Sequence, residues 1–347
     1  MDVDYGDARS ITVGFVAGVI VLLALYAVVG LEDVLVALAQ ADPLLVAAVY
    51  AVAVCWLFAW AMALRTVLVV IAVEVSISRA FMLFAGATFA NNVTPFGQAG
   101  GEPFSALLVS RTTDIDYENG LAAVASVDTL NFVPSISFAL VGVGYYATTF
   151  TVGNRVELAA ASLVALALAV PVAAYLGWRN RDRVATLAVG VILPLGRVLG
   201  RLVPAVAPPE EAQLRRRIDG FFAALERVAG DHHQLALALS FSALGWLLLS
   251  VSLWLSLLAL GHAVPFAAAL FIVPLGSVAG VTPLPGGLGG VEAALVVLIV
   301  PITGVDPQTA AAAALIHRGA TYWLPVLLGG SATAMLEADN VHQSASD

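Results

Sequence analysis

Apolar runs long enough to cross a lipid bilayer recur from one end of this 347-residue chain to the other. A helix that spans a bilayer needs about 20 consecutive apolar residues. A single run can be a buried core helix or a signal peptide, but many runs along a whole chain predict a polytopic helical membrane protein. These segments lie at residues 11–29, 44–64, 81–110, 120–147, 156–178, 235–260, 266–302 and 310–335.

The rest of the composition argues against a soluble domain, a disulfide and a metal site. Charged residues make up 11% of the chain, against about 25% in soluble domains. The single cysteine, Cys55, and five scattered histidines predict neither a disulfide nor a metal site. We therefore expect an all-α membrane protein that is not an enzyme, has no cofactor and binds no nucleic acid.

The arginine distribution predicts which loops face the cytoplasm. Nine arginines fall between residues 179 and 234, where 184–234 is expected to form a cytoplasmic amphipathic region. Arg65 and Arg79 place the loop after the second segment on the same side. Residues 30–43 carry acidic residues without a basic one and are expected outside. Both termini are then predicted to be cytoplasmic, in a protein of the plasma membrane.

Two segments are predicted to be re-entrant hairpins. With the flanking loops inside, segment 81–110 begins and ends on one side of the membrane, and the stretch from Asn91 to Pro103 contains two prolines and three glycines, which break helices. The same argument applies to 266–302, which is interrupted between Val281 and Glu292. In the alternative, each segment forms two short spans, although halves of about 12–15 residues reach only about 18–22 Å.

The two broken segments resemble each other, which predicts an internal repeat. Val93-Thr94-Pro95 matches Val281-Thr282-Pro283 at an offset of about 188 residues, and two pairs of spans recur at nearly that offset. Each half would contain three transmembrane helices and one hairpin, an inverted repeat of the kind found in transporters. The first repeat would cover 1–150, the second 151–336, and 337–347 would be a disordered acidic tail. Chance similarity between two Pro/Gly-rich breaks is the alternative.

Both breaks are expected to line an interior cavity, because irregular backbone at membrane depth must be satisfied by protein or water. Half-helices starting after Gly101 and Gly290 would point anion-attracting N-termini inward. Glu102 and Glu292 either cap these helices or act directly, by coupling to protons or cations or by binding a cationic head group. The candidate cavity residues of the breaks are Asn91, Asn92, Thr94, Pro95, Gly100, Gly101, Glu102, Thr282, Pro283, Pro285, Gly286, Gly287, Gly289, Gly290 and Glu292.

Four further candidates lie inside apolar spans, where ionisable groups usually face the protein interior and form pairs. They are Asp128 and Asn131 in one span, and His317 and Arg318 in another. Asp128 falls opposite Arg318 at the repeat offset, which predicts an ion pair between them. In the alternative, Arg318 snorkels or caps a break locally.

Three motifs occur in order along the chain: Asn92-Val93-Thr94-Pro95-Phe96-Gly97 with Gly100-Gly101-Glu102-Pro103, the stretch from Pro283 to Glu292, and Leu315-Ile316-His317-Arg318 with Thr321-Tyr322-Trp323-Leu324-Pro325. Together they resemble the lysylphosphatidylglycerol synthase transmembrane family, a flippase-like group also called UPF0104. The resemblance implies an inverted-repeat membrane domain with Tyr322 as a further cavity residue. We expect this chain to lack the family's soluble aminoacyl-transferase domain, and Ser126-Val127-Asp128 lacks an arginine that the family often carries nearby.

The family resemblance implies a lipid translocase that moves or binds a phospholipid or a polyprenyl-phosphate-linked lipid between leaflets. Its partners would be membrane lipids and a separate glycosyltransferase or lipid-modifying enzyme. The alternatives are a secondary transporter of a small polar solute, an intramembrane enzyme acting on lipid phosphates, and a membrane scaffold for a glycosyltransferase.

Overall fold

A computed structural model describes residues 5–95, 97–149 and 211–344, together with scattered residues between 172 and 190. These residues are mostly helical, without a β-strand among them, which confirms the predicted all-α class, whereas the inverted repeat stays a prediction. The predicted span over 156–178 and the first part of the amphipathic region lie largely outside the described residues. The helices are α1 Tyr5–Val29, α2 Leu31–Ala39, α3 Pro43–Val70, α4 Ile77–Val93, α5 Gln98–Thr113, α6 Tyr117–Thr149, α7 Glu211–Gly230, α8 His232–Ala259, α9 Phe266–Val278, α10 Gly290–Thr303, α11 Pro307–Arg318 and α12 Leu324–Ser344.

Four stretches of the described chain are long and apolar enough to cross a membrane. They are α3, α8, residues 117–145 of α6, and residues 285–303, which contain α10. α1 and α2 add a fifth if they are taken together, although the chain bends by 87° between them. Gly30 makes this bend with a φ of 104°, a backbone conformation that favours glycine. Most of the acidic stretch 30–43, which is expected outside, forms the short helix α2.

Several helices begin at an aspartate whose side chain accepts hydrogen bonds from amides of the first turn. Asp42 precedes Pro43 at the start of α3, and Asp306 precedes Pro307 at the start of α11. Asp306 lies outside the spanning segments. Its partial burial acts to raise its pKa, but hydrogen bonds from the amide and hydroxyl of Thr309 outweigh burial and hold the pKa below its usual value.

α3 and α8 pack together at the centre of the molecule. Gly245 lies directly against the indole of Trp60, where a larger residue would not fit. The Trp60 Nε1–H donates to Ser242 O at 3.2 Å, and its ring meets that of Trp246 edge-on at 5.7 Å between centroids. These two helices occupy equivalent positions in the predicted repeat, so the predicted halves would pack through equivalent helices.

α4 and α5 form a helical hairpin around the first break. Gly101 lies against Asn91, and Gly86 lies against Leu108, which is an antiparallel pairing. Gly97 makes the turn with a φ of 55°, and its carbonyl accepts from the amides of Gly100 and Gly101 at 3.1 and 3.0 Å. The helix therefore begins at Gln98, and the expected start after Gly101 is wrong because the turn is completed at Gly97.

α9 and α10 form a second hairpin around the second break. Gly276 lies against Leu295, and Gly287 lies against Gly280, again in antiparallel pairing. Two short 3₁₀ turns, at 279–281 and 285–287, fill the break before α10 begins at Gly290 as predicted. The chain reverses within both predicted hairpins, whereas their position relative to the bilayer faces stays a prediction.

The last described helix, α12, extends to Ser344. It enters the stretch 337–347 for which disorder is expected, and the disordered tail stays a prediction. No glycine or proline occurs after Gly330 to end the helix.

Candidate functional site

The two Pro/Gly breaks touch each other inside the protein. Gly286 lies against the backbone of Asn92, and Gly97 lies against the carbonyl oxygen of Gly280. The Tyr322 hydroxyl donates to Asn92 O at 3.1 Å and lies 3.4 Å from Pro285 O. One buried tyrosine therefore bridges backbone carbonyls of both breaks, which the irregular segments leave without helical partners.

A buried ion pair stands beside this contact. The Arg318 Nε donates to Glu292 Oε1 at 2.9 Å, and the side chains are only 11% and 3% exposed. Arg318 Nη2 also donates to Gly286 O at 3.0 Å, and the guanidinium carbon lies 4.6 Å from the centroid of the Tyr322 ring. Arg318 thus fixes the second break by a charge-assisted bond, a backbone bond and a cation–π contact.

Glu292 has a second role at the start of α10. Its Oε2 accepts a hydrogen bond from the amide of Gly289 at 2.7 Å. Glu292 therefore caps α10, which is one of the two roles expected from the sequence. The predicted pair between Asp128 and Arg318 is wrong, because Arg318 is bonded to Glu292 instead. The bond from Arg318 Nη2 to Gly286 O provides the local capping role that was the alternative for Arg318.

A π-helical turn over 319–323 connects α11 to α12 and carries Tyr322. It is preceded by His317, a buried side chain whose Nδ1 lies 2.9 Å from the Ser252 hydroxyl on α8. π turns are rare overall, and those that occur are frequently found at functional sites. The extra residue in this turn positions Tyr322 towards the breaks while Arg318 reaches Glu292.

A second polar cluster lies at the first break. The Gln98 Nε2 lies 3.4 Å from Asp128 Oδ1, and Glu102 lies one turn after Gln98 on α5. Asp128 Oδ2 is fully buried without a hydrogen-bond donor. Glu102 is the fifth residue of α5, so it does not cap this helix as Glu292 caps α10.

Two more polar atoms near the breaks are buried without a partner among the described residues. They are Asn91 Oδ1, against Gly101, and Thr282 Oγ1, against Gly290. Buried polar groups normally have a partner, and exceptions point to an unobserved water, ion or ligand. Asn131 is different, because its Oδ1 accepts from the buried Ser242 hydroxyl and helps to join α6 to α8.

The structure gathers the predicted residues around the two breaks. Thr94, Pro95 and Gly100 lie in or just after the first break, where Thr94 Oγ1 donates to Ala90 O at 2.7 Å. Pro283 and Gly290 lie in and after the second. Across the described residues, no three His, Cys, Asp or Glu side chains are grouped so that they could hold a metal ion.

Sequence reasoning missed the contribution of α1. Gly14 lies against Pro285, Gly18 lies against Leu288, and Val21 lies against Gly289, so α1 covers the second break. Two glycines four residues apart allow a membrane helix to approach another segment closely. This spacing is visible in the sequence and could have predicted the contact.

Spanning helices, two interrupted hairpins and buried ionisable groups define a multi-pass helical membrane protein. The lysylphosphatidylglycerol synthase TM region matches residues 11–329, and the chain belongs to this family, as the three motifs indicated.

Three curated relatives are similar over nearly their whole length. A UPF0104 membrane protein of Methanothermobacter thermautotrophicus is 27% identical over 334 residues, covering 93% of this chain and 92% of the relative. A second protein of that name from the same organism is 26% identical, with 91% and 93% covered. A UPF0104 membrane protein of Methanocaldococcus jannaschii is 21% identical, with 94% and 95% covered. Their names state a membrane protein and no substrate.

Proposed function

We propose that the protein is a lipid translocase, which moves a phospholipid or a polyprenyl-phosphate-linked lipid between leaflets. The observation that carries the proposal is the direct contact between the two broken hairpins, around which buried ionisable groups are collected. Ionisable groups inside membrane segments are costly and commonly mark the path of a polar substrate. A lipid head group is such a substrate, and its acyl chains would stay in the bilayer.

The chemistry of the two breaks differs, which favours the first break as the place where a head group binds. At the second break, Arg318 and Glu292 neutralise each other, and the N-terminus of α10 already holds a carboxylate. At the first break, Gln98 is exposed, Glu102 is partly exposed, and α5 has no acidic residue in its first turn. Among the described residues of the two breaks, the exposed and partly exposed Gln98 and Glu102 therefore lie where the helix end is free.

The test is leaflet exchange of labelled lipids in liposomes that contain the purified protein. Phosphatidylglycerol, an aminoacylated lipid and a polyprenyl-phosphate analogue are compared for wild type, Glu102→Gln and Asp306→Asn. Asp306→Asn is the matched control, because asparagine also caps helices and Asp306 lies outside the site.

We expect exchange of one lipid class by wild type and by the control, reduced at least tenfold in Glu102→Gln. Equal exchange in all three proteins would place the path away from the first break. The absence of exchange for every lipid, in folded protein, would refute the translocase proposal. Uptake of a small polar solute by the same liposomes would then support the secondary transporter.

A further inference from the structure

Tyr322 forms a two-way polar link with the first break. Its fully buried side chain donates a hydrogen bond from the hydroxyl to Asn92 O at 3.1 Å. In return, Asn92 Nδ2 donates to the backbone oxygen of Tyr322 at 3.4 Å. The two residues are 230 positions apart in the chain, so this reciprocal pair joins the first break to the turn between α11 and α12. Both bonds are between neutral groups.

The second break is bound to the same region more strongly. Arg318 donates to the Glu292 carboxylate at 2.9 Å and to Gly286 O at 3.0 Å. Hydrogen bonds between charged groups are roughly twice as strong as those between neutral groups. The bonds of Asn92 with Tyr322 are therefore the weaker attachment, and the first break can part from Tyr322 while the second break stays bound to α11.

The Tyr322 hydroxyl keeps an acceptor if the first break moves away. A hydroxyl has one hydrogen, and here it lies 3.1 Å from Asn92 O and 3.4 Å from Pro285 O. Loss of the first acceptor leaves the second, which belongs to the second break. Asn92 is partly exposed, so water can replace the bonds that its own groups lose. The separation therefore leaves no buried polar group of this link without a partner.

The π turn that carries Tyr322 has the properties of a joint between α11 and α12. The Leu324 amide donates to Gly319 O, five residues earlier. Pro325 follows and has no amide hydrogen with which to continue the α-helical pattern. Sharp bends within helices occur at prolines and at π turns. A change of angle between α11 and α12 is therefore expected at this turn.

The two helices that meet at the joint are attached to different breaks. α11 ends at Arg318, which is bonded to the second break. α12 packs along α4, the helix that leads into the first break. Gly329 on α12 lies against Ala85, and Gly86 on α4 lies against Thr333. A bend at the π turn would therefore move the first break relative to the second.

We propose that Tyr322 is a positioning residue that latches the two breaks together, and that its bond to Asn92 breaks when the π turn bends. In the latched state described here, the breaks touch and close the space between them. In the unlatched state they part, and the hydroxyl remains on Pro285 O. The use of this opening for the passage of a lipid head group rests on the proposed function, whereas the latch itself does not.

The test is hydrogen–deuterium exchange, followed by mass spectrometry, of the full chain in lipid nanodiscs. Tyr322→Phe removes the hydroxyl and retains the ring that lies against Arg318. The matched control is Tyr26→Phe, because Tyr26 is also buried and its hydroxyl has no hydrogen-bond partner among the described residues. Both variants lose one buried hydroxyl, but one of the two hydroxyls links the breaks.

The Tyr322 hydroxyl is bonded to carbonyl oxygens, so its removal takes no partner from any amide. Faster amide exchange in the breaks would therefore report their separation. In Tyr322→Phe we expect the amides of Gly100 and Gly101 to exchange about three- to tenfold faster, as for the loss of one hydrogen bond. The amides of Gly287 and Leu288 in the second break should be affected in the same way. Exchange in α3 and α8, and throughout Tyr26→Phe, should equal that of wild type.

Two results would overturn the latch. One is equal exchange of both breaks in Tyr322→Phe and wild type. The other is an equal increase in the breaks, α3 and α8, which would show a general loss of stability. In the liposome assay, Tyr322→Phe should exchange the transported lipid faster than wild type and Tyr26→Phe. Amide exchange requires no lipid transport, so a wild type that moves no lipid would refute the proposed function without deciding the latch.

Discussion

Removal of the Arg318 side chain is expected to destabilise the fold strongly. Arg318→Ala leaves the Glu292 carboxylate 3% exposed, with the Gly289 amide as its remaining bonded partner. Breaking a buried ion pair from one side typically costs about 3–5 kcal/mol, because an uncompensated charge is left behind. The variant also loses the bond to Gly286 O and the contact with the Tyr322 ring. We therefore expect a loss of about 3–5 kcal/mol in the free energy of unfolding.

The double variant Glu292→Gln/Arg318→Met tests whether charge is the cause. It removes both charges at similar volume, and neutral replacements of buried pairs are often tolerated. Glutamine also keeps an acceptor for the Gly289 amide. We expect the double variant to be more stable than Arg318→Ala, with a coupling energy of about 2–3 kcal/mol between the two positions.

The assay is equilibrium unfolding in mixed micelles, followed by the fluorescence of the six tryptophans. The four corners of the cycle are wild type, Glu292→Gln, Arg318→Met and the double variant, with Arg318→Ala measured alongside. Effects that add without coupling, or an Arg318→Ala protein within about 1 kcal/mol of wild type, would show that the pair does not stabilise the second break in the way argued.

Two further predictions concern the breaks and their flanks. Gly286→Ala should cost about 2–4 kcal/mol in the same unfolding assay, because φ is 52° and a Cβ would lie 2.9 Å from Asn92 Cα. Gly280→Ala, which meets open space, is the control, and equal losses would contradict this reasoning. Asp306→Ala should cost about 1 kcal/mol near neutral pH. Since the folded pKa of Asp306 is lowered, its contribution is complete above the unfolded pKa of about 3.9 and is lost as pH falls through the folded value. A wild-type advantage over Asp306→Ala that persists unchanged at pH 2 would refute this assignment.

The sequence predicted features that depend on local chemistry. Clusters of proline and glycine located both breaks, because these residues interrupt a helix wherever they lie. Glu292 was recognised as a possible cap, because capping depends on residues only three positions apart. The apolar runs likewise predicted α3, α6 and α8, since the thickness of a bilayer fixes the length of a spanning helix.

The features that sequence reasoning missed depend on three-dimensional placement. The partner of Arg318 was assigned from a repeat offset, whereas the actual partner is on a helix 26 residues earlier in the chain. Position within a repeat indicates which residues are equivalent, but it does not determine which of them touch. The contact of α1 with the second break was missed because its glycines lie in a helix that is apolar all round.

The pairing of Arg318 with Glu292 affects how other anions can bind at the second break. Glu292 is tethered next to Arg318, so any anion that approaches the guanidinium must displace a carboxylate held there at an effective concentration in the millimolar range or above. Glu292 therefore competes with any other anion for the guanidinium. A small anion such as chloride gains too little from one contact to displace it. The ion pair that stabilises the fold thus also disfavours the binding of small anions at Arg318, which agrees with placing the proposed head-group site at the first break.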